Sequence, residues 1–319
     1  KITFLDSSTL TTGDIGFDSL EALGDFDHFP TITPKEVQRH AANADVLITH
    51  KVVLDADTIA TLPNLKLILV AATGVNVVDL EAARSRDIPV CNVAGYSTPS
   101  VAQHTTSLLL ALATKVHRFA TEHDEWPKSP IFTRLNHPVT ELAGKTCGII
   151  GLGDIGSAFT AIAEALGMRV QVLARKGSSN RHRPELPRLR HDEFFRSSDV
   201  VSLHCPLTAD NEHMINEAVL AMMKPSAFLL NVSRGPLVHE QALAEALQHD
   251  RIAGAGLDVL SVEPPPSDHP LLASDLRDKN LIITPHSAWL SLESRQRLLD
   301  GVTQNLESWL DGNPANRVA

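Results

Sequence analysis

The sequence has nothing that reads as a membrane span, a disulfide framework, a metal cluster or a nucleic-acid surface. No apolar run approaches the ~20 residues a helix needs to cross a bilayer. The opening Lys1-Ile-Thr-Phe-Leu5 goes straight into a strand pattern without a signal-peptide layout, so the cytoplasm is the expected compartment. Three cysteines, Cys91, Cys147 and Cys205, are scattered singly, with neither metal spacing nor an even count. They are expected to be reduced core thiols. Fifteen histidines show no ligand pattern, and no metal is expected. A net charge of −10 argues against the basic face of a nucleic-acid binder. Low-complexity segments and short-period repeats are also missing.

What is present is a globular chain of 319 residues, 43% hydrophobic and 21% charged, long enough for two domains. Its first hundred residues alternate short apolar runs (2–5, 46–49, 67–71, 90–93) with helical patterns (34–42, 55–62, 78–86), which predicts a parallel sheet covered on both faces. A longer helix follows over about 100–119. Residues 122–141 are polar and proline-punctuated, with Trp126 and Phe132 among them, and read as a surface loop or an arm toward a second subunit. From Gly144 the strand–helix alternation resumes, with strands at 146–150, 169–173, 200–204, 227–231, 252–257 and 281–284. The last helix, 291–310, comes after that second domain is complete and is expected to return to the first. The reading is therefore α/β: two doubly wound domains, one (100–286) inserted into the other (1–99 plus 287–319).

The stretch Gly151-Leu152-Gly153-Asp154-Ile155-Gly156 lies between an apolar strand signal and a helical pattern. Gly151 permits the tight turn, Gly153 lets a pyrophosphate approach bare backbone, and Gly156 lets the helix pack on the sheet. The helix amino terminus would point its N–H groups at the phosphates. A glycine-rich turn alone is weak support, but the second strand at βαβ spacing strengthens it.

Three later strand ends each present one residue fit for catalysis: Arg234 in Asn231-Val-Ser-Arg-Gly-Pro, Glu263 in Gly256-Leu-Asp258-Val-Leu-Ser-Val-Glu-Pro-Pro, and His286 in Thr284-Pro-His-Ser-Ala-Trp289. Open α/β sheets bind ligands beyond the carboxyl ends of their strands, where these residues would gather. Taken singly, Arg234 also reads as a structural ion pair, Glu263 as a turn cap and His286 as a backbone-bonded strand-end residue.

With these motifs the chain resembles the D-isomer-specific 2-hydroxyacid dehydrogenases over nearly its whole length. Ala94-Gly-Tyr-Ser-Thr-Pro-Ser-Val-Ala-Gln-His-Thr105, Pro285-His-Ser-Ala-Trp289 and Arg295-Gln-Arg-Leu-Leu-Asp300 resemble the glycerate dehydrogenase (hydroxypyruvate reductase) branch. The resemblance implies that Arg234, Glu263 and His286 are catalytic. Chemically, the Arg234 guanidinium would grip a substrate carboxylate with two charge-assisted bonds. A protonated His286 would donate to the carbonyl oxygen as hydride arrives, with Glu263 favouring the imidazolium.

The resemblance implies a Rossmann dinucleotide domain (100–286) inserted into a flavodoxin-like substrate domain (1–99 plus 287–319), and further contacts. Thr73, Gly74 and Val75 match a loop whose N–H groups bind the substrate carboxylate, although Gly74 also reads simply as a turn residue. Thr105 matches a position beside the nicotinamide, and otherwise reads as a helix-interior threonine bonded backward to a carbonyl. Cys205, Pro206, Val232 and Asp258 match positions lining the dinucleotide pocket. Trp289 would shape the substrate pocket or fill core. A homodimer is implied.

The residue ending the second strand of the dinucleotide domain is commonly acidic and bonds the ribose, but here it is Ala174, followed by Arg175, Lys176, Ser178, Ser179 and Arg181. These cations would welcome a ribose phosphate, so NADP is expected over NAD. The expected function is NADPH-dependent reduction of small 2-oxo acids, hydroxypyruvate and glyoxylate foremost. The alternatives are another 2-oxo acid with NADH, or a dinucleotide-sensing co-repressor-like protein. A phosphite-oxidising relative carries lysine where Thr73 aligns, which disfavours that variant.

Overall fold

The computed structural model describes residues 1–174 and 183–319. The chain divides into two compact units, Lys1–Ser97 with Leu290–Ala319, and Thr98–Trp289. In each unit, every pairing of one named strand with another is parallel.

The first unit holds β1 (Ile2–Phe4), β2 (Phe26–His28), β3 (Val46–Thr49), β4 (Leu67–Val70) and β5 (Val90–Cys91) in the order β2-β1-β3-β4-β5. That is the flavodoxin-like order. Every residue of β3 and β4 is buried, which is why both read as unbroken apolar runs. Helices Ala56–Ala60 and Leu80–Ser85 begin at Asp55 and Asp79, whose carboxylates accept from Thr58 N (2.8 Å) and Ala82 N (2.9 Å). The helix Leu292–Leu310 belongs to this unit, and the chain end returns to β5 through Val318 N donating to Val90 O at 2.8 Å.

The second unit holds β6 (Thr146–Ile150), β7 (Arg169–Leu173), β8 (Arg188–Leu189), β9 (Val200–Leu203), β10 (Phe228–Asn231), β11 (Gly254–Leu257) and β12 (Leu281–Ile283). Their order is β12-β11-β10-β9-β6-β7-β8. Counting from β6, this is the 3-2-1-4-5-6 order of dinucleotide folds with one further strand, and the order reverses between β6 and β9. The helix Thr98–Thr114 buries Leu108, Leu109, Leu112 and Ala113 in one core with Phe159, Ala163, Ile149 and Val200. Phe194, Phe195, Leu229 and Leu257 belong to a separate core cluster of this unit.

Four expectations need correction. The edge strands β2 and β8 escaped the sequence reading because they are short and incompletely buried. The helix expected over 100–119 stops at Thr114, where Lys115 takes φ 56°, and resumes as Val116–Thr121. The final helix starts at Leu292, with Ser291 accepting from Ser294 N at 3.2 Å as its cap. Of the three free thiols, Cys91 and Cys147 are core residues but Cys205 is only half-buried. Burial pushes the Cys147 thiol up to about 12.

Candidate active site

The geometry of the glycine turn follows from steric contacts. Gly151, at the end of β6, has φ 96°, and a Cβ there would lie 2.6 Å from Cys205 N. A Cβ on Gly156 would collide with the Gly151 carbonyl oxygen. Gly153 differs, because a Cβ there would meet nothing within 4 Å. Gly151 and Gly156 are thus demanded by the protein itself, whereas the space over Gly153 is open and lies at the amino terminus of the helix Asp154–Ala165. First-turn N–H groups of a helix have no intrahelical acceptor, so this terminus suits an anion. Asp154 is exposed, and Ile155 is half-buried. The bare, open turn fits the pyrophosphate of a dinucleotide.

Across the switch point, His204 follows β9 and packs its ring on Phe159, with centroids 5.4 Å apart. Its Nε2 bonds the Ser202 hydroxyl at 2.8 Å, and desolvation of the ring pushes its pKa down to about 3. The site therefore has a neutral imidazole behind the glycine turn. Cys205 and Pro206 come next, and Asn211 Nδ2 donates to the Pro206 carbonyl at 2.8 Å. On the far side of β6, Ala174 is exposed just past β7, and its N–H donates to Leu189 O at 2.9 Å. Arg175, Lys176, Ser178, Ser179 and Arg181 lie outside the described residues.

The next strand ends carry the expected catalytic groups. After β10, Asn231 steadies the turn: its Oδ1 accepts from Ser233 N (3.0 Å) and its Nδ2 donates to Arg234 O (2.9 Å). Val232 packs against the core. Arg234 Nη1 donates to Ser233 O at 2.7 Å, and among the described residues the guanidinium makes no ion pair. The structural-ion-pair reading of Arg234 therefore has no support.

After β11, Asp258 is 1% exposed and accepts from Thr284 Oγ1 (2.5 Å), Ser287 N (2.8 Å) and Ala288 N (3.0 Å). Burial alone would raise its pKa. Hydrogen bonds from His104, Thr284, Ala288 and Ser287 outweigh that effect and hold the carboxyl below its usual range. Five residues on, Glu263 Oε1 accepts from Leu260 N at 3.0 Å. Its loop is anchored by Glu240, which accepts from Ser261 N at 2.7 Å and bonds His269 Nε2 at 3.0 Å.

After β12, His286 has φ 53°, a left-handed conformation disfavoured for histidine. Its N–H donates to Asp258 O (2.8 Å) and Thr284 O (3.0 Å), which holds the turn. The ring Nδ1 lies 2.7 Å from Glu263 Oε2. A carboxylate only accepts, so Nδ1 carries the proton and Nε2 is the nitrogen left to face a substrate. Trp289 is half-buried, three residues beyond.

Thr105 is fully buried and its hydroxyl donates back to Val101 O at 2.7 Å, the geometry of a helix-interior threonine. Its neighbour His104, which the sequence did not single out, bonds Thr284 Oγ1 at 2.9 Å. In the other unit, Thr73 Oγ1 donates to Val93 O at 3.1 Å, and Asn92 Nδ2 donates to Thr73 O at 2.7 Å. Among the described residues the N–H groups of Thr73, Gly74 and Val75 donate to no backbone carbonyl. No group of three His, Cys, Asp or Glu among the described residues is placed to hold a metal.

Fold and turn together define a dinucleotide-dependent α/β enzyme with a His–Glu pair at its strand ends. Comparison with known proteins sharpens this. Residues 106–288 match the D-isomer specific 2-hydroxyacid dehydrogenase NAD binding domain. The chain is 40% identical to a hydroxypyruvate reductase of Blautia hydrogenotrophica, covering 100% of this chain and 99% of that one. It is 38% identical to a glycerate dehydrogenase of Methylorubrum extorquens, covering 100% and 98% respectively. A solved acyclic imino acid reductase in complex with NADPH and D-Arg superposes with a TM-score of 0.86 at 30% identity, covering 100% of this chain and 99% of that one. The chain belongs to the D-isomer-specific 2-hydroxyacid dehydrogenases.

Proposed function

We propose that this enzyme reduces small 2-oxo acids, hydroxypyruvate and glyoxylate foremost, to D-2-hydroxy acids with NADPH. The observation that carries the reading is the His286–Glu263 pair at 2.7 Å, with Arg234 following β10 in the same sheet and making no ion pair among the described residues. Arg234 grips the carboxylate and so orients the neighbouring ketone. Thr73, Gly74 and Val75, with Trp289, are assigned to substrate binding on the family resemblance. His286 Nε2–H donates its proton to the carbonyl oxygen as charge develops there, and Glu263 holds the ring through Nδ1. In the oxidative direction the same nitrogen takes the proton back. The nicotinamide, when bound, supplies the hydride.

Residues of the glycine turn, Gly151 to Gly156, hold the pyrophosphate, and Cys205, Pro206, Val232 and Asp258 line the rest of the dinucleotide site. The preference for NADPH rests on Ala174 in place of an acidic residue and on Arg175 and Lys176 in the sequence beyond it. A homodimer is part of the same proposal, as is operation in the cytoplasm, where free thiols such as the three seen here persist.

The test is kinetic: a panel of 2-oxo acids with both nicotinamide cofactors, for the wild type and His286→Ala. His286→Ala lowers kcat by about 10²–10⁴-fold while leaving the dinucleotide Kd unchanged. Near-normal turnover by that variant would sink the catalytic assignment. A kcat/KM favouring NADH would remove the cofactor preference, which Arg175→Ala is expected to weaken selectively.

A further inference from the structure

Asp258 is joined to both sides of His286, and a second histidine is joined to Asp258. We propose that His104 is a positioning residue: through Thr284 and Asp258 it fixes the strand-end turn that carries His286. The proposal rests on the reading of His286 as the proton donor.

The hydrogen-bond directions follow from chemistry. Asp258 is an anion with 1% exposure and can only accept. The single hydroxyl proton of Thr284 therefore goes to Asp258 Oδ1, at 2.5 Å. That leaves Thr284 Oγ1 an acceptor, so His104 Nε2, 2.9 Å away, must carry a proton and donate. The same nitrogen lies 3.3 Å from Asp258 Oδ1, where it adds a second, longer contact to the carboxylate. On its other side Asp258 receives Ser287 N and Ala288 N, and its own carbonyl receives His286 N at 2.8 Å.

The turn needs this hold. His286 sits at φ 53°, and a non-glycine residue persists in that region only where the surroundings over-determine it. His104 comes from the helix Thr98–Thr114, whose Ser100 also donates to Ala288 O at 2.6 Å. One helix face thus grips the turn at two points. Asp258 is the carboxylate between them. Remove the His104 proton donor and Thr284 Oγ1 loses the donor it accepts from, keeping only its bond to Asp258, while Asp258 loses one N–H contact in a buried site. The turn then samples other conformations, and a displacement near 1 Å at the proton donor costs on the order of 10²-fold in rate.

Glutamine can place an amide N–H near the position of Nε2, whereas leucine keeps bulk without a donor. His104→Leu is expected to lower kcat by at least about tenfold with KM for the oxo acid and the dinucleotide Kd changed less than about threefold. In the protein without cofactor, amide exchange at Ser287 and Ala288 should accelerate about tenfold, which reports the loosened turn without turnover. His104→Gln recovers most of both losses. The proposal is overturned if His104→Leu turns over within about twofold of wild type, or if its exchange at Ser287 and Ala288 is unchanged, or if glutamine fails to rescue. Should His286→Ala instead retain activity, the reading of the donor fails, while the exchange measurement still decides whether His104 holds the turn.

Discussion

Three glycines in one turn do three different things, and substitution can separate them. An alanine Cβ at Gly156 has no room against the Gly151 carbonyl, so the helix Asp154–Ala165 must shift away from the sheet. Overpacking of this kind costs about 1–3 kcal/mol. Gly153 has an ordinary φ of −86° and open space, so Gly153→Ala should leave thermal stability nearly intact, with only a few tenths of a kcal/mol lost at the cap. Its methyl group instead occupies the approach of the pyrophosphate. Gly153→Ala is therefore expected to weaken dinucleotide binding about tenfold or more at near-normal Tm. Gly156→Ala loses both. Calorimetric titration and melting of the two variants check this; equal binding by Gly153→Ala and wild type would remove the phosphate from that turn. At this scale the sequence was legible where a residue type is forced, as at Gly151 and Gly156, and in the placing of Arg234 and His286 just past strand ends. His104 left no signal, because a histidine inside a helix reads as an ordinary half-buried residue. Its meaning lies in Thr284 and Asp258, more than a hundred residues away in sequence.

Strands were the most readable elements, since parallel strands covered on both faces are continuous apolar runs: β6 and β7 have the expected limits. The exceptions are physical. Residues 26–28 carry Asp27 and His28 on an edge, and residues 188–189 form only two rungs. The break at Lys115 was also unreadable, because a left-handed residue after a helix is usually glycine. Here a lysine takes the position and directs its ammonium back to Leu112 O at 2.8 Å and toward the Phe228 ring, 5.6 Å from its centroid. Desolvation, with a smaller push from Arg118, pulls this amine down to about 8. The unfolded chain, with an ordinary lysine near 10.5, then binds more protons between pH 8 and 10.5. Stability should therefore rise with pH through that window, by on the order of 1–3 kcal/mol. Lys115→Met removes this slope. Urea unfolding of both proteins from about pH 7.5 to about pH 10 measures it, and parallel curves would show that the ammonium is not desolvated.

For the whole molecule, the distribution of exposed apolar surface points to a second copy. Trp126, Ile131, Phe132, Leu135 and Val139 are all exposed within residues 126–139, with Phe132 at 89% and Leu135 at 82%. The segment is not loose chain. Glu122 receives Arg134 Nη1 (3.1 Å), Asn136 Nδ2 (3.1 Å) and His137 Nε2 (2.8 Å), and Trp126 Nε1 donates to Phe132 O at 3.0 Å. A segment pinned by polar bonds at its base while presenting aromatic and branched side chains outward has the composition of an interface core. Soluble monomers seldom leave such a patch bare. The expected solution mass is twice the 34.6 kDa of one chain. Replacing Phe132 and Leu135 by serine, neither of which packs in the core, should shift the protein toward monomer while leaving its far-ultraviolet circular dichroism unchanged. Sedimentation of wild type and variant at the same concentration distinguishes the outcomes: a wild-type monomer, or a dimer indifferent to both substitutions, would assign the patch no role in self-association.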